Sequence, residues 1–176
     1  MANYSIKVRD HTAAANTTAK GIVTELQAFF TKVFAGTSDR ATVVLGTGTA
    51  ADAIVLHFVE SRSNSYIAAW LGAAKLAHIN ERAGGHTTTH NNVTCSEFYQ
   101  TAIGRDHQSR TLSAHECAKL GFHESLHNVH PDWDGEGNLK GHGGLADTPV
   151  GADLNQRDID LLRQGIASRH GTTQKL

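Results

Sequence analysis

Residues 113–131 define one element from end to end, and the rest of the chain has to be built around it. Ser113-Ala-His-Glu116 is a capping box. Its serine oxygen and its returning glutamate satisfy amide groups that the start of a helix leaves without partners. Phe122, Leu126 and Val129 follow at helical spacing and mark a buried stripe. Pro131 has no backbone donor and biases His130 away from helical geometry, so the element stops there. The sequence therefore predicts a helix over 114–129 with one apolar face on a core.

The flanking segments supply that core. Tyr4–Val8 alternates like a strand. Asn16 and Thr17 are candidate N-caps for a helix whose stripe is Ile22, Leu26, Phe29 and Val33, with Gly36 placed to end it. Ala41–Leu45 and Ala53–Val59 are short β-branched runs, read as buried strands on either side of a Gly46-Thr-Gly48 turn. Ser61–Ser65 is a polar loop, and the segment from Tyr66 to Ile79 fits helix or strand by periodicity. The threonine-rich run His86–Cys95 has the composition of an exposed or edge strand. A last helix is expected from Asn155, burying Ile159, Leu162 and Ile166, with 171–176 as a loose tail. Strands and helices in this order, in 176 residues, predict a single α+β domain spanning 1–176.

Composition excludes several roles. Sixteen Lys and Arg stand against 17 acids with no long run of either sign, so no nucleic-acid or anionic-membrane face is expected. No stretch has the apolar length of a bilayer span, and the first residues lack the apolar middle of a secretory signal. Localisation stays open between the cytoplasm and secretion by another route. Oligomeric state is not legible. Cys95 and Cys117 are too far apart in sequence for a C-x-x-C motif, and both a disulfide and two buried thiols remain open.

The chemistry lies on the helix already defined. His123 and His127 are one turn apart, so His123-Glu-Ser-Leu-His127 presents two imidazoles to one point and invites a metal ion. Glu124 is turned around the helix, where it reaches a metal-bound water without being a ligand. With 12 histidines in the chain, residue frequencies give roughly a 3% expectation of one such match by chance. The match also falls inside a helix whose cap, stripe and stop were assigned without it. A catalytic zinc takes a third protein ligand. His142, returning in the loop Gly141-His-Gly-Gly-Leu145, is favoured over His130, which lies roughly 10 Å along the axis from His123. Asp147, Asp132 and Asp134 stand behind these two.

With a downstream histidine, Gly143-Gly-Leu-Ala-Asp147 and Leu154-Asn-Gln-Arg-Asp-Ile-Asp-Leu-Leu162, the motif resembles the C-terminal half of metzincin-type zinc peptidases, matrixin-like ones in particular. The resemblance implies an α+β domain with a small twisted mixed sheet, an edge strand over the site, an active-site helix and a C-terminal helix. It implies a zinc metalloendopeptidase acting on peptide or protein substrates, with His123, His127 and His142 on Zn2+ and Glu124 as general base and acid. An extended substrate would lie along the edge strand, so His86, Thr88 and His90 are its expected contacts. The chain departs from the clan in two places. Trp133 stands where the third histidine falls, and Met1 is the sole methionine, so no methionine turn underlies the metal.

Asp132, Asp134, Glu136 and Asn138 alternate like the opening of a calcium loop, which makes Ca2+ a second candidate cation; a solvated acidic turn is the alternative. Two rival functions remain. One is a zinc-stabilised binding or structural module without turnover, and the other is a metallopeptidase-type toxin or effector.

Overall fold

The computed structural model describes residues 1–13, 17–81, 83–103, 108–130, 156–168 and 173–176. It is an α+β structure around an open, curled mixed sheet. In chain order the elements are β1 (Asn3–Asp10), α1 (Thr17–Val33), β2 (Arg40–Leu45), β3 (Ile54–Ser61), α2 (Tyr66–Leu71), β4 (Gly85–His90), β5 (Val93–Ile103), β6 (Ser109–Thr111), α3 (Ala114–Val129), α4 (Gln156–Ser168) and β7 (Thr173–Gln174). Short 3-10 turns at Arg62–Asn64 and Ala73–His78 flank α2. No helix among the described residues is long and apolar enough to cross a membrane.

The main path of the sheet runs β2-β1-β3-β5-β4, with β6 and β7 each pairing to β5. The β1/β2, β1/β3 and β3/β5 pairs are parallel, whereas β4 lies antiparallel to β5 at the end of the path. Parallel strands need cover on both faces, and β3 accordingly buries Ile54 through Val59 without a break.

Alternation along the strands separates the two faces. Ile6, Val8, Ile54, Leu56, Phe58 and Phe98 join the core built with α1, α3 and α4. There Phe122 of α3 meets Phe29 and Phe30 of α1 edge-on, at centroid distances of 5.8 and 5.7 Å. The opposite face buries His57, Glu97 and Tyr99. Glu97 is held there by the Ser65 hydroxyl (2.6 Å), the Tyr99 hydroxyl (2.8 Å) and the amide of Ile67 (2.9 Å), which ties the start of α2 to β5.

Two expectations change and one open reading is resolved. The run His86–Cys95 is two strands, because Asn91 and Asn92 take φ of 49° and 62° and turn the chain between His90 and Val93. That two-residue positive-φ geometry matches the strand twist, and asparagine tolerates it. The undecided segment after Ser65 is helical, with the Ser65 side chain accepting from the amide of Ala68. The chain end, expected to be loose, is instead bonded into the sheet over residues 173–175, and the Leu176 carbonyl accepts from the Tyr66 hydroxyl of α2. β7 pairs with β5 at Val93 and Thr94, where the β3/β5 ladder has not yet begun. Its Gln174 side chain accepts from the amide of Val55 (2.6 Å) and donates to the carbonyl of Asp52 (3.0 Å). Cys95 and Cys117 are both free and buried.

Candidate metal centre

The predicted cap of α3 forms in full. The Ser113 hydroxyl accepts from the amide of Glu116 at 3.2 Å, and Glu116 accepts from the amide of Ser113 at 2.9 Å. A hydrogen bond from Arg110 is the main reason the Glu116 carboxyl is held down at a pKa of about 2. With the start fixed and Phe122 and Leu126 buried in the core, the helix has no rotational freedom left. His123 and His127 are thereby half-buried on the outer side, while Glu124 is turned under the sheet and is 4% exposed.

The two imidazoles converge. His123 Nε2 and His127 Nε2 are 3.0 Å apart, with the rings edge-to-face at 63°. Two nitrogens bound to one tetrahedral zinc at about 2.0–2.1 Å lie roughly 3.3 Å apart, so the pair is within a few tenths of an ångström of chelating spacing. Without a cation, one ring must donate Nε2–H to the other. The donor set therefore fits a borderline-soft metal ion as far as these two ligands go. Among the described residues no third His, Cys, Asp or Glu joins them.

Glu124 sits beneath the edge strand. Its Oε2 is 2.6 Å from the Thr87 hydroxyl of β4. Its other oxygen lies against Gly85, where a Cβ would come within 2.7 Å of both Glu124 Cγ and Oε1 and of the Glu97 carbonyl. Only glycine leaves room for the carboxyl there. Burial raises the Glu124 pKa to about 8, with the charge of Glu97 adding to the effect and the Thr87 hydrogen bond opposing it. No protein-family model, curated protein or solved structure matches the chain.

β4 has an outward edge, and its register shows which residues form it. The amide of Tyr99 donates to the Gly84 carbonyl at 2.9 Å, so the antiparallel alternation gives mutually bonded pairs at His86/Glu97, Thr88/Cys95 and His90/Val93. The outward N–H and C=O groups therefore belong to Gly85, Thr87 and Thr89. His86, Thr88 and His90, the expected substrate contacts, turn their backbone to β5. Their side chains lie on the face opposite Thr87 and Glu124, because successive side chains alternate. His90 instead packs edge-on to Trp70 of α2, with centroids 6.1 Å apart.

His130 Nε2 lies 2.9 Å from the carbonyl of Leu161, which can only accept, so this nitrogen donates to α4 at the α3–α4 junction. It is not presented to the His123/His127 pair. His142, the favoured third ligand, and Asp132, Asp134, Glu136, Asn138 and Asp147 lie outside the described residues. A separate cleft of about 640 Å3, lined by Glu60, Arg62, Asn64, Glu81, Thr101 and Ser109 among others, includes no residue of α3.

Four residues around Glu124 escaped the sequence reading: Gly85, Thr87, Ser96 and Asn128. For Asn128 a signal was present. It lies four residues after Glu124, on the same face of the helix.

Proposed function

We propose that the chain is a zinc-dependent peptidase of metzincin-like architecture. The observation that carries the reading is the His123/His127 pair at 3.0 Å beside a buried glutamate that touches the edge strand. The element order, with a strand-covered helix bearing the motif and β4 antiparallel at the end of the sheet, supports it. His123 and His127 would hold the ion, with His142 as third ligand. A zinc ion so held supplies Lewis acidity toward the scissile carbonyl and favours the ionised form of Glu124.

The protein's own groups do the remaining work. An extended peptide pairs with the outward backbone groups of Gly85, Thr87 and Thr89, which brings its scissile bond over Glu124. Glu124 takes a proton from the attacking water, whose oxygen bonds to the carbonyl carbon. As the C–N bond breaks, the same proton goes to the departing nitrogen.

Metal analysis and peptide cleavage on the full chain test this. The expected result is about one zinc per chain, cleavage lost in Glu124→Gln with zinc retained, and zinc lost in His142→Ala but kept in His130→Ala. Cleavage surviving in Glu124→Gln would refute the mechanism. Zinc binding unaffected by His123→Ala together with His127→Ala would refute the site.

A further inference from the structure

The Glu124 carboxyl is not held by one hydroxyl alone. Thr87 Oγ1 is 2.6 Å from Glu124 Oε2 and 2.8 Å from Ser96 Oγ, and Ser96 Oγ takes the Asn128 side-chain amide at 2.8 Å. Ser96 and Asn128 are both fully buried. Thr87 has a single hydrogen to give. An ionised carboxylate can only accept, so that hydrogen then goes to Glu124; when Glu124 is the acid, Thr87 accepts from it and donates to Ser96, which receives a hydrogen from Asn128 in either case. The three groups form one connected chain ending at Oε2. It spans β4, β5 and α3, three elements whose relative placement is fixed by the sheet ladder and the core.

The two oxygens of Glu124 are thereby made unequal. Oε2 is tied to this chain, whereas Oε1 lies against Gly85 and accepts no hydrogen bond among the described residues. We propose that Thr87, backed by Ser96 and Asn128, is a positioning residue that anchors Oε2 and leaves Oε1 as the oxygen that exchanges protons with the reactants. The proposal rests on the peptidase reading above. A hydroxyl suits the task better than an amide or a cation. It donates to the carboxylate and accepts from the carboxylic acid, so the anchor survives both protonation states that a base-then-acid must pass through. Residues that orient a catalytic group in this way contribute mainly through geometry, and their loss costs about 10- to 100-fold.

The test uses the full zinc-loaded chain as wild type, Thr87→Val and Thr87→Ser. Valine keeps the shape and removes the hydroxyl, and serine restores it. On a fluorogenic peptide, Thr87→Val is expected to lower kcat by about 10- to 100-fold while KM and zinc affinity, measured by chelator competition, stay within about twofold; Thr87→Ser returns most of kcat. A second readout needs no activity. In metal-free protein labelled with 13C-glutamate, the infrared carboxyl band assigned by its loss in Glu124→Gln should shift in Thr87→Val and return in Thr87→Ser. The proposal alone is overturned if the wild type cleaves and Thr87→Val keeps its kcat, or if the band does not move. A fall of kcat, KM and zinc affinity together would likewise overturn it, as the mark of a merely structural role. A zinc-loaded wild type that cleaves no peptide would overturn the peptidase reading, and this proposal with it.

Discussion

Acidification should loosen the chain through one histidine remote from α3. His57 is fully buried on β3, stacked on the Tyr66 ring at 4.0 Å, with its Nε2 2.8 Å from the Lys175 carbonyl. That carbonyl only accepts, so Nε2 carries the hydrogen and Nδ1 accepts from His11 Nε2 at 2.8 Å. A second proton on His57 has no acceptor in this arrangement. Burial, with smaller contributions from His11, Arg9 and Lys175, lowers its pKa from 6.5 to about 4. The unfolded chain takes up this proton as pH falls through 6.5, whereas the folded chain refuses it until about 4. Stability is therefore fully present above pH 6.5 and is lost as pH falls toward 4. At 1.36 kcal/mol per tenfold difference in proton affinity, the loss from this group is about 2–3 kcal/mol at pH 4.5. Urea unfolding in EDTA, at pH 7.5 and pH 4.5, measures it. His57→Gln keeps a donor for Lys175 and cannot titrate, so it should lose less stability than the wild type by about that amount. Equal losses in the two proteins would refute the assignment of the proton to His57. Because His57 holds the Lys175 carbonyl, the hydrogen-exchange protection factors at Gln174 and Lys175, corrected for the slower intrinsic exchange, should fall at the lower pH in the wild type.

Two further outcomes follow from the packing. Gly85→Ala places a methyl within 2.7 Å of the Glu124 side chain and of the Glu97 carbonyl, so it should cost about 1–3 kcal/mol by thermal unfolding and abolish peptide cleavage; a variant with wild-type melting and kcat would show that Glu124 is not seated there. Arg163 of α4 donates through Nε to the carbonyl of Val33 and through Nη2 to that of Ala35 at 2.9 Å, closing the C-terminal end of α1, and Arg163→Ala should lower stability by about 1–3 kcal/mol in urea with zinc affinity unchanged.

What the sequence disclosed follows the range of the forces involved. The limits of α3 were legible because its cap, its stripe and its stop are all interactions within a few residues, and the helix observed over Ala114–Val129 begins and ends where they place it. The convergence of His123 and His127 was legible for the same reason, since one helical turn brings them together whatever else the chain does. β5 was not recognised as a separate central strand. The signal was the Asn91-Asn92 pair, which reads as polar composition until its positive φ is known. β7 carries almost no apolar content, and its order comes from Gln174 bonding to Val55 and Asp52 more than a hundred residues earlier. The roles of His86, Thr88 and His90 depended on a register fixed by the partner strand. A shift of one residue exchanges which backbone groups face outward and which side chains face Glu124, so composition alone does not tell which alternate residues of the strand lie on the Glu124 face. The Thr87-Ser96-Asn128 chain joins three elements through single hydroxyl and amide contacts. Such a network is written in the sequence only as three ordinary polar residues. It acquires meaning once the fold has placed them around a carboxyl that would otherwise be buried against an apolar core, where each contact is worth more than it would be in water.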